Sequence, residues 1–306
     1  MKKNVLITGG AGFVGKHLTD LLIRKGYTVA VLSRSKKQNT ADIFYYQWDV
    51  AGQFIDEEAV LHADYIVHLA GENIAGARWS KERKQAIIDS RIQSAQLIYG
   101  VLKKNNKKLE AFISASAVGI YGAVNGAAIC TEEMQPAHDF LGLTCQKWES
   151  TVDYIENLHI RCVKIRTGLV LGKNDGFLNK LLPVFKMRLG SALGSGKQYM
   201  SWVHVSDLCN AYLKAIENPD MKGSYNVAVN DDTTNAFFSK TLAKLLGYKI
   251  WLPNIPAFLI KIAMGEMAQL LLTGRRVSSE KIEKTGFQFQ FENLEEALKD
   301  SIADTV

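Results

Sequence analysis

The sequence predicts an α/β chain, with a doubly wound parallel sheet followed by a smaller, mostly helical C-terminal lobe. Three observations predict it. Short apolar runs of strand length alternate with helical runs through the first two-thirds of the 306 residues. At the N-terminus a strand, a glycine-rich turn and an amphipathic segment follow one another. Beyond Arg166 the alternation loosens, and from Thr233 onward helical patterning dominates, broken by Pro253 and Pro256.

The first strand is Val5–Thr8, an apolar run that meets Gly9, Gly12 and Gly15. Phe13–Lys25 then repeats its apolar residues at helical spacing. Thr28–Ser33, Ile43–Trp48, Tyr65–Leu69, Ala111–Ser114 and Ile160–Arg166 read as further short buried strands, with helices over Lys81–Lys104 and Leu141–Glu156. Such alternation requires right-handed crossovers, which place helices on both faces of a parallel sheet. Gly194-Ser195-Gly196 reads as a loop, Ser206–Glu217 as a helix and Ser224–Val229 as a short strand. A sheet domain is therefore expected over residues 1–170, with a return segment near 200–230, and a lobe covering its ligand face over 171–306.

Composition narrows the classes. A hydrophobic content of 47% suffices for a substantial core. The net charge of +6 is spread over solvated helices such as Lys81-Glu82-Arg83-Lys84, with no basic stripe interleaved with aromatics, so no nucleic-acid partner is expected. Met1-Lys2-Lys3 leads into an apolar run that ends at Ile7 in a glycine turn, which is not the pattern of a signal peptide. The longest apolar stretch, Ile255–Thr273, is interrupted by Lys261, Glu266 and Gln269; a packed amphipathic helix is expected there, and no membrane partner. Cys130, Cys145, Cys162 and Cys209 show no metal-ligand spacing, so the reading is reduced thiols in a cytoplasmic chain without a metal.

The glycines carry the first chemistry. Glycine suits a sharp turn, a close approach of backbone to a pyrophosphate, and tight helix-on-strand packing. A helix beginning at Phe13 and Val14 offers that pyrophosphate free N–H groups and a partial positive charge. Gly9, Gly12 and Gly15 thus point to a dinucleotide site on a Rossmann sheet. After the second strand, Ser33-Arg34-Ser35-Lys36-Lys37 puts cations where an NAD-preferring chain usually carries Asp or Glu. Arg34 suits the 2′-phosphate of NADP(H), leaving NAD(H) the lesser candidate; a solvated charge run is the alternative. Asp49 is either an acceptor for the adenine amino group or a cap or turn residue. Leu69-Ala70-Gly71-Glu72 leaves small residues where the nicotinamide half can approach backbone, and His68 is expected to face the sheet.

The fifth strand runs into Ser114-Ala115-Ser116-Ala117-Val118-Gly119-Ile120-Tyr121-Gly122. Together with the glycine turn and the His68–Gly71 strand end, this segment resembles the extended short-chain dehydrogenase/reductases. Gly71-Glu72-Asn73-Ile74, Arg78-Trp79-Ser80, Ser90-Arg91, Ser201–Asp207 and Gly286-Phe287 narrow the resemblance to an atypical branch, the 39U-type epimerase family proteins. Trp251–Leu298 resembles that branch's C-terminal domain of unknown function, so the resemblance covers essentially the whole chain. It implies a Rossmann fold, NADP(H) binding and a pocket for a small-molecule substrate such as a sugar nucleotide. Relatives often dimerise, and the chain is expected as a monomer or homodimer.

In such enzymes a Ser or Thr polarises the substrate carbonyl, and a Tyr-x-x-x-Lys pair moves the proton. By resemblance Ser116 takes the first role, although it stands one residue further from Tyr121 than is typical. Aligning the Leu141–Glu156 helix by Glu149 puts Leu141 and Cys145 where Tyr and Lys belong, and neither has the chemistry. Tyr99 and Lys103 match the spacing but precede the serine strand; they read as a surface pair. Lys147 lies two residues past the lost lysine, about 200° round the helix, and should point away. Tyr121 is either a substitute acid or a packing residue. The resemblance places Arg166 beside the nicotinamide, and Gln198, Trp202 and His204 by the nucleotide part of the substrate. Arg78 and Trp79 either clamp a phosphate and stack a ring, or form an exposed loop with one buried Trp. Asp207 is expected to cap its helix, and Thr273–Val277 to form a surface turn or bring a cation over the cleft. Two functions follow. One is an NADP(H)-dependent oxidoreductase or epimerase acting on a sugar nucleotide or related carbonyl compound without the usual Tyr-x-x-x-Lys pair. The other is a catalytically silent NADP(H)-binding regulatory or interaction protein.

Overall fold

Residues 2–35, 37–173 and 177–303 are described by the computed structural model. The chain begins at the middle of its sheet, where Val5, Leu6 and Ile7 are fully buried in β1 (Asn4–Thr8). Alternate side chains of a strand point to opposite faces. Val5 and Ile7 accordingly pack on Leu18 and Leu22 of α1 (Phe13–Arg24), while Leu6 joins the core on the other side. Each such buried leucine contributes about 2 kcal/mol.

From β1 the chain builds outward through β2 (Thr28–Ser33) and β3 (Ile43–Asp49), to which the two-residue β4 (Phe54–Ile55) pairs antiparallel. It then crosses by α2 (Glu57–Leu61) to β5 (Tyr65–His68) on the other side of β1. α3 (Lys81–Lys104), β6 (Ala111–Ala117), β7 (Gly126–Cys130), α4 (Phe140–Glu156) and β8 (Cys162–Thr167) follow. Next come β9 (Leu169–Leu171), α5 (Phe177–Lys186), β10 (Trp202–His204), α6 (Val205–Glu217) and β11 (Gly223–Val227). The eight-stranded sheet has the order β11-β8-β6-β5-β1-β2-β3-β4. α1 and α6 cover one face; α2, α3 and α4 cover the other. The strand order reverses between β1 and β5, and ligands of doubly wound sheets bind at that switch point, beyond the carboxyl ends.

The remainder comprises α7 (Asn235–Leu245), α8 (Ala257–Met264), α9 (Gln269–Leu272), β12 (Arg275–Val277), α10 (Glu280–Glu283) and α11 (Leu294–Ile302). Phe287, Phe289, Leu298 and Ile302 of this tail join the same core as β1 and α6. Asp207 does not cap α6 as expected. His204 does, its Nδ1 accepting the Ser206 N–H at 3.3 Å. The buried Asp207 carboxylate instead accepts the Gln290 and Phe291 N–H groups at 2.8 and 3.0 Å, fastening the tail. Arg275–Val277 is neither surface turn nor loop; it pairs in parallel with β7. Among the described residues, no helix is long and apolar enough to cross a membrane.

Candidate functional site

Beyond Thr8 the chain turns at Gly9, whose φ of +71° lies in the left-handed region that favours glycine. A Cβ there would also meet the Leu69 carbonyl at 3.0 Å, so the ends of β1 and β5 touch through this residue. Gly15 is tighter still, because a Cβ would stand 2.3 Å from the Gly9 carbonyl oxygen. Gly12 is the N-cap of α1, with no side-chain cap and no acidic residue in the first turn. The N–H groups opening α1 at Phe13 and Val14 therefore meet no carboxylate cap, the arrangement that receives an anion.

The floor of the crevice is a hydroxyl and an imidazole. Thr8 Oγ1 accepts the Leu69 and Ala70 N–H groups, both at 3.1 Å, and donates to His68 Nδ1 at 2.9 Å. His68 Nε2 then donates to Ser94 Oγ at 3.2 Å, and that hydroxyl donates to the Ser90 carbonyl at 2.6 Å. This assignment of the tautomer satisfies every partner. Burial pushes His68 down to about 4, so it is neutral, and its ring is buried between Thr8 of β1 and Ser94 of α3. Thr8 and Ser94 were absent from the sequence-based candidates; the available signal was a hydroxyl ending a wholly apolar strand.

Ser33 and the exposed Arg34 lie at the carboxyl end of β2, while Lys36 falls outside the described residues. Asp49 is the last residue of β3, and its carboxylate accepts the Ala51 N–H of the following turn at 3.1 Å. Gly71 runs beneath Arg91, since a Cβ there would be 3.1 Å from Arg91 Cζ. The Glu72 N–H donates to Ser90, and its carboxylate pairs with Arg83 at 2.9 Å. Arg91 itself lies over the Trp148 ring at 4.9 Å and donates to the Ile87 carbonyl at 2.8 Å. No carboxylate among the described residues forms an ion pair with it.

Ser116 sits on the α4 side of the sheet, in a buried polar network. Its hydroxyl donates to Glu149 at 2.7 Å. Arg166, its register partner on β8, grips the same carboxylate through two 2.9 Å bonds and donates to Tyr121 and to the Glu132 carbonyl, each at 3.1 Å. Tyr121 OH donates to Asn226 Oδ1 at 2.7 Å. Burial would raise the Glu149 carboxyl, but Arg166 and Ser116 hold it below the usual carboxylate range. Burial pushes Tyr121 up to about 12, which leaves it no ready proton donor at neutral pH. Ser116, Tyr121 and Arg166 are thus brought together, their polar atoms engaged with Glu149, Asn226, Glu132 and one another.

Leu141 and Cys145, one turn apart on α4, line the Val118–Gly119 corner, with Leu141 Cβ and Cys145 Sγ 3.6 and 3.8 Å from a Cβ placed on Gly119. Burial and Glu149 push the Cys145 thiol up to about 12. Lys147 is exposed, and Tyr99 packs with Tyr154 and Lys103, away from this corner.

The presumed substrate residues are dispersed. Trp79 is buried, donating to the Ile74 carbonyl at 2.8 Å and meeting Phe140 edge-on at 4.7 Å. Arg78 donates to the Ile262 carbonyl at 3.2 Å and so ties its loop to α8. Trp202 is fully buried and donates to Asp231 at 2.9 Å. His204 stacks on Phe291 at 4.0 Å, with Nε2 3.2 Å from Asp300 but out of line for a hydrogen bond. Gln198 Nε2 bridges the Leu193 and Leu271 carbonyls, while its buried Oε1 has no partner. No metal-holding group of His, Cys, Asp and Glu exists among the described residues, and the four cysteines are free and buried.

Residues 5–228 match the family model of the NAD dependent epimerase/dehydratase family. The chain belongs to that family. Residues 255–301 match a domain of unknown function, DUF1731. The chain is 36% identical to the epimerase family protein YfhF of Bacillus subtilis over 98% of each chain. The structure of human epimerase family protein SDR39U1 (isoform 2) with NADPH superposes with a TM-score of 0.87 at 30% identity, over 99% of this chain and 100% of that one. A nucleoside-diphosphate sugar epimerase from Corynebacterium glutamicum gives 0.77 at 27% identity, over 99% of this chain and 58% of that one. The chain's similarity to SDR39U1 proteins agrees with its sequence motifs, which resemble those of the 39U-type epimerase family proteins.

Proposed function

We propose that this epimerase family protein is an NADP(H)-dependent oxidoreductase or epimerase acting on a sugar nucleotide or a related carbonyl compound, without the usual Tyr-x-x-x-Lys pair. The carrying observation is the uncapped start of α1 beyond a glycine turn into which no Cβ fits, with Arg34 exposed at the end of β2. These residues fit a dinucleotide with a 2′-phosphate, and the NADPH held by human SDR39U1 supports the choice. The nicotinamide, when bound, supplies or accepts hydride. Gly9, Gly12 and Gly15 let backbone approach the pyrophosphate, and the first N–H groups of α1 neutralise it. Arg34 pairs with the 2′-phosphate. The backbone of Leu69–Glu72, pinned by Thr8, keeps the nicotinamide end rigid.

At the reacting end, Leu141 and Cys145 occupy the Tyr and Lys positions, and Arg91 is the cation beside them. A guanidinium held over Trp148 without a carboxylate partner can stabilise negative charge on a substrate oxygen, the service that a Ser or Thr usually gives. Ser116 and Tyr121 act as positioning residues, holding the Glu149–Arg166 pair beneath the site.

The engagement of Ser116 and Tyr121 in that pair also favours a second reading, a silent NADP(H)-binding regulatory protein. Transfer of label from C4-deuterated NADPH into the small molecules of a cell extract separates the two. Label incorporation that falls with Arg91→Leu supports a reductase. Because an epimerase returns the hydride it takes, inversion of a sugar-nucleotide carbon without label supports an epimerase, and tight NADPH binding with neither supports the silent protein.

A further inference from the structure

From Phe177 to Trp202 and from Thr233 to Gly265 the sequence holds eight lysines and arginines and no Asp or Glu, more positive charge than the chain's net +6. These two segments lie against each other. Ile255 bridges Leu193, and the Trp251 indole donates to the Arg188 carbonyl at 3.0 Å. The surface they share is apolar. Trp251 and Ile262 are each 69% exposed, Phe258 61% and Met187 62%. Phe258 and Ile262 stand one turn apart on α8, whose buried side chain, Ile260, points the other way. Arg188, Lys249 and Lys261 are exposed around them.

We infer that this face, formed by α8, the Trp251 turn and the end of α5, is a peripheral docking surface for an anionic lipid bilayer. Exposed aromatic and aliphatic side chains ringed by lysine and arginine match the interface of an acidic membrane, where rings enter the headgroup region and cations meet lipid phosphates. A two-fold contact between copies would set this cationic face against itself. Nucleic acid would leave Met187 and Ile262 without an apolar partner. Lack of a spanning helix bears on insertion and leaves surface binding open.

Sedimentation of the full chain with vesicles tests the inference. Vesicles of equal parts phosphatidylglycerol and phosphatidylcholine should carry the protein down, and pure phosphatidylcholine should not. Phe258→Ser with Ile262→Ser, and separately Lys249→Glu with Lys261→Glu, should each weaken binding about tenfold while retaining the wild-type thermal midpoint. Because the charge variant alters only exposed side chains, it keeps the test valid if the apolar variant misfolds. High salt should release the protein. No binding to the anionic vesicles, or equal binding by the charge variant, overturns the inference. So does a dimer in sedimentation velocity that Phe258→Ser with Ile262→Ser dissociates, because a second copy would then cover the face.

Discussion

Two buried groups dominate at the residue scale. The Glu149–Arg166 pair is bidentate and almost fully buried, so removing one partner leaves the other charge unmatched. Glu149→Gln is expected to destabilise the fold by about 3 kcal/mol in urea unfolding, whereas the double change Glu149→Leu with Arg166→Met should recover most of that loss. His68 gives a pH signature. Its folded pKa is depressed to about 4 from 6.5, so the unfolded chain takes up a proton that the folded chain refuses. The stability it contributes is present above pH 6.5 and is lost as the pH falls through that window, roughly 3 kcal/mol in all. His68→Gln should flatten the urea midpoint between pH 6.5 and 4; an unchanged slope would mean that His68 is protonated inside the fold. The turn at Gly9 was legible because its conformational demand is local. The Ser116 network was not, since Glu149 and Asn226 arrive from α4 and β11, and a strand residue's facing turns on a register that one position reverses.

Elements with strong, self-contained patterns were read closely. Thr28–Ser33 and Lys81–Lys104 form as the sequence predicts, and most other ends shift by only a residue or two. β6 runs on to Ala117 because β8 continues to pair with it there. The small sheets β7–β12 and β9–β10 were missed, being short strands whose partners are remote in sequence. Asp207 was misread as a cap for a similar reason, since its acceptors' donors lie in the tail. At the β1–α1 junction, Gly15→Ala would force a methyl group to within 2.3 Å of the Gly9 carbonyl. The expected result is a loss of about 1–3 kcal/mol of stability and a large drop in NADPH affinity, measured by melting and by nicotinamide fluorescence.

For the whole molecule, the tail packs into the same core as the sheet: Phe287, Leu298 and Ile302 belong to one buried cluster with residues of α6 and β1, and α11 packs on α7 and β9. Asp207→Ala should therefore lower the stability of sheet and tail together, and hydrogen exchange should show α11 and α6 losing protection in one step. The uncapped start of α1 lies beyond β1, beside the switch point, and the exposed Arg34 follows the neighbouring β2, while Leu141 and Cys145 line the Val118–Gly119 corner. The central claim is that this epimerase family protein retains a site for NADP(H) built on the glycine turn and Arg34. Fluorescence titration with NADPH and NADH, on the wild type and on Arg34→Ala, tests it most directly. NADPH should bind tightly and NADH weakly, and Arg34→Ala should cost NADPH about tenfold while sparing NADH. Failure of the wild type to bind either nucleotide would contradict the claim, as would an NADPH affinity indifferent to Arg34.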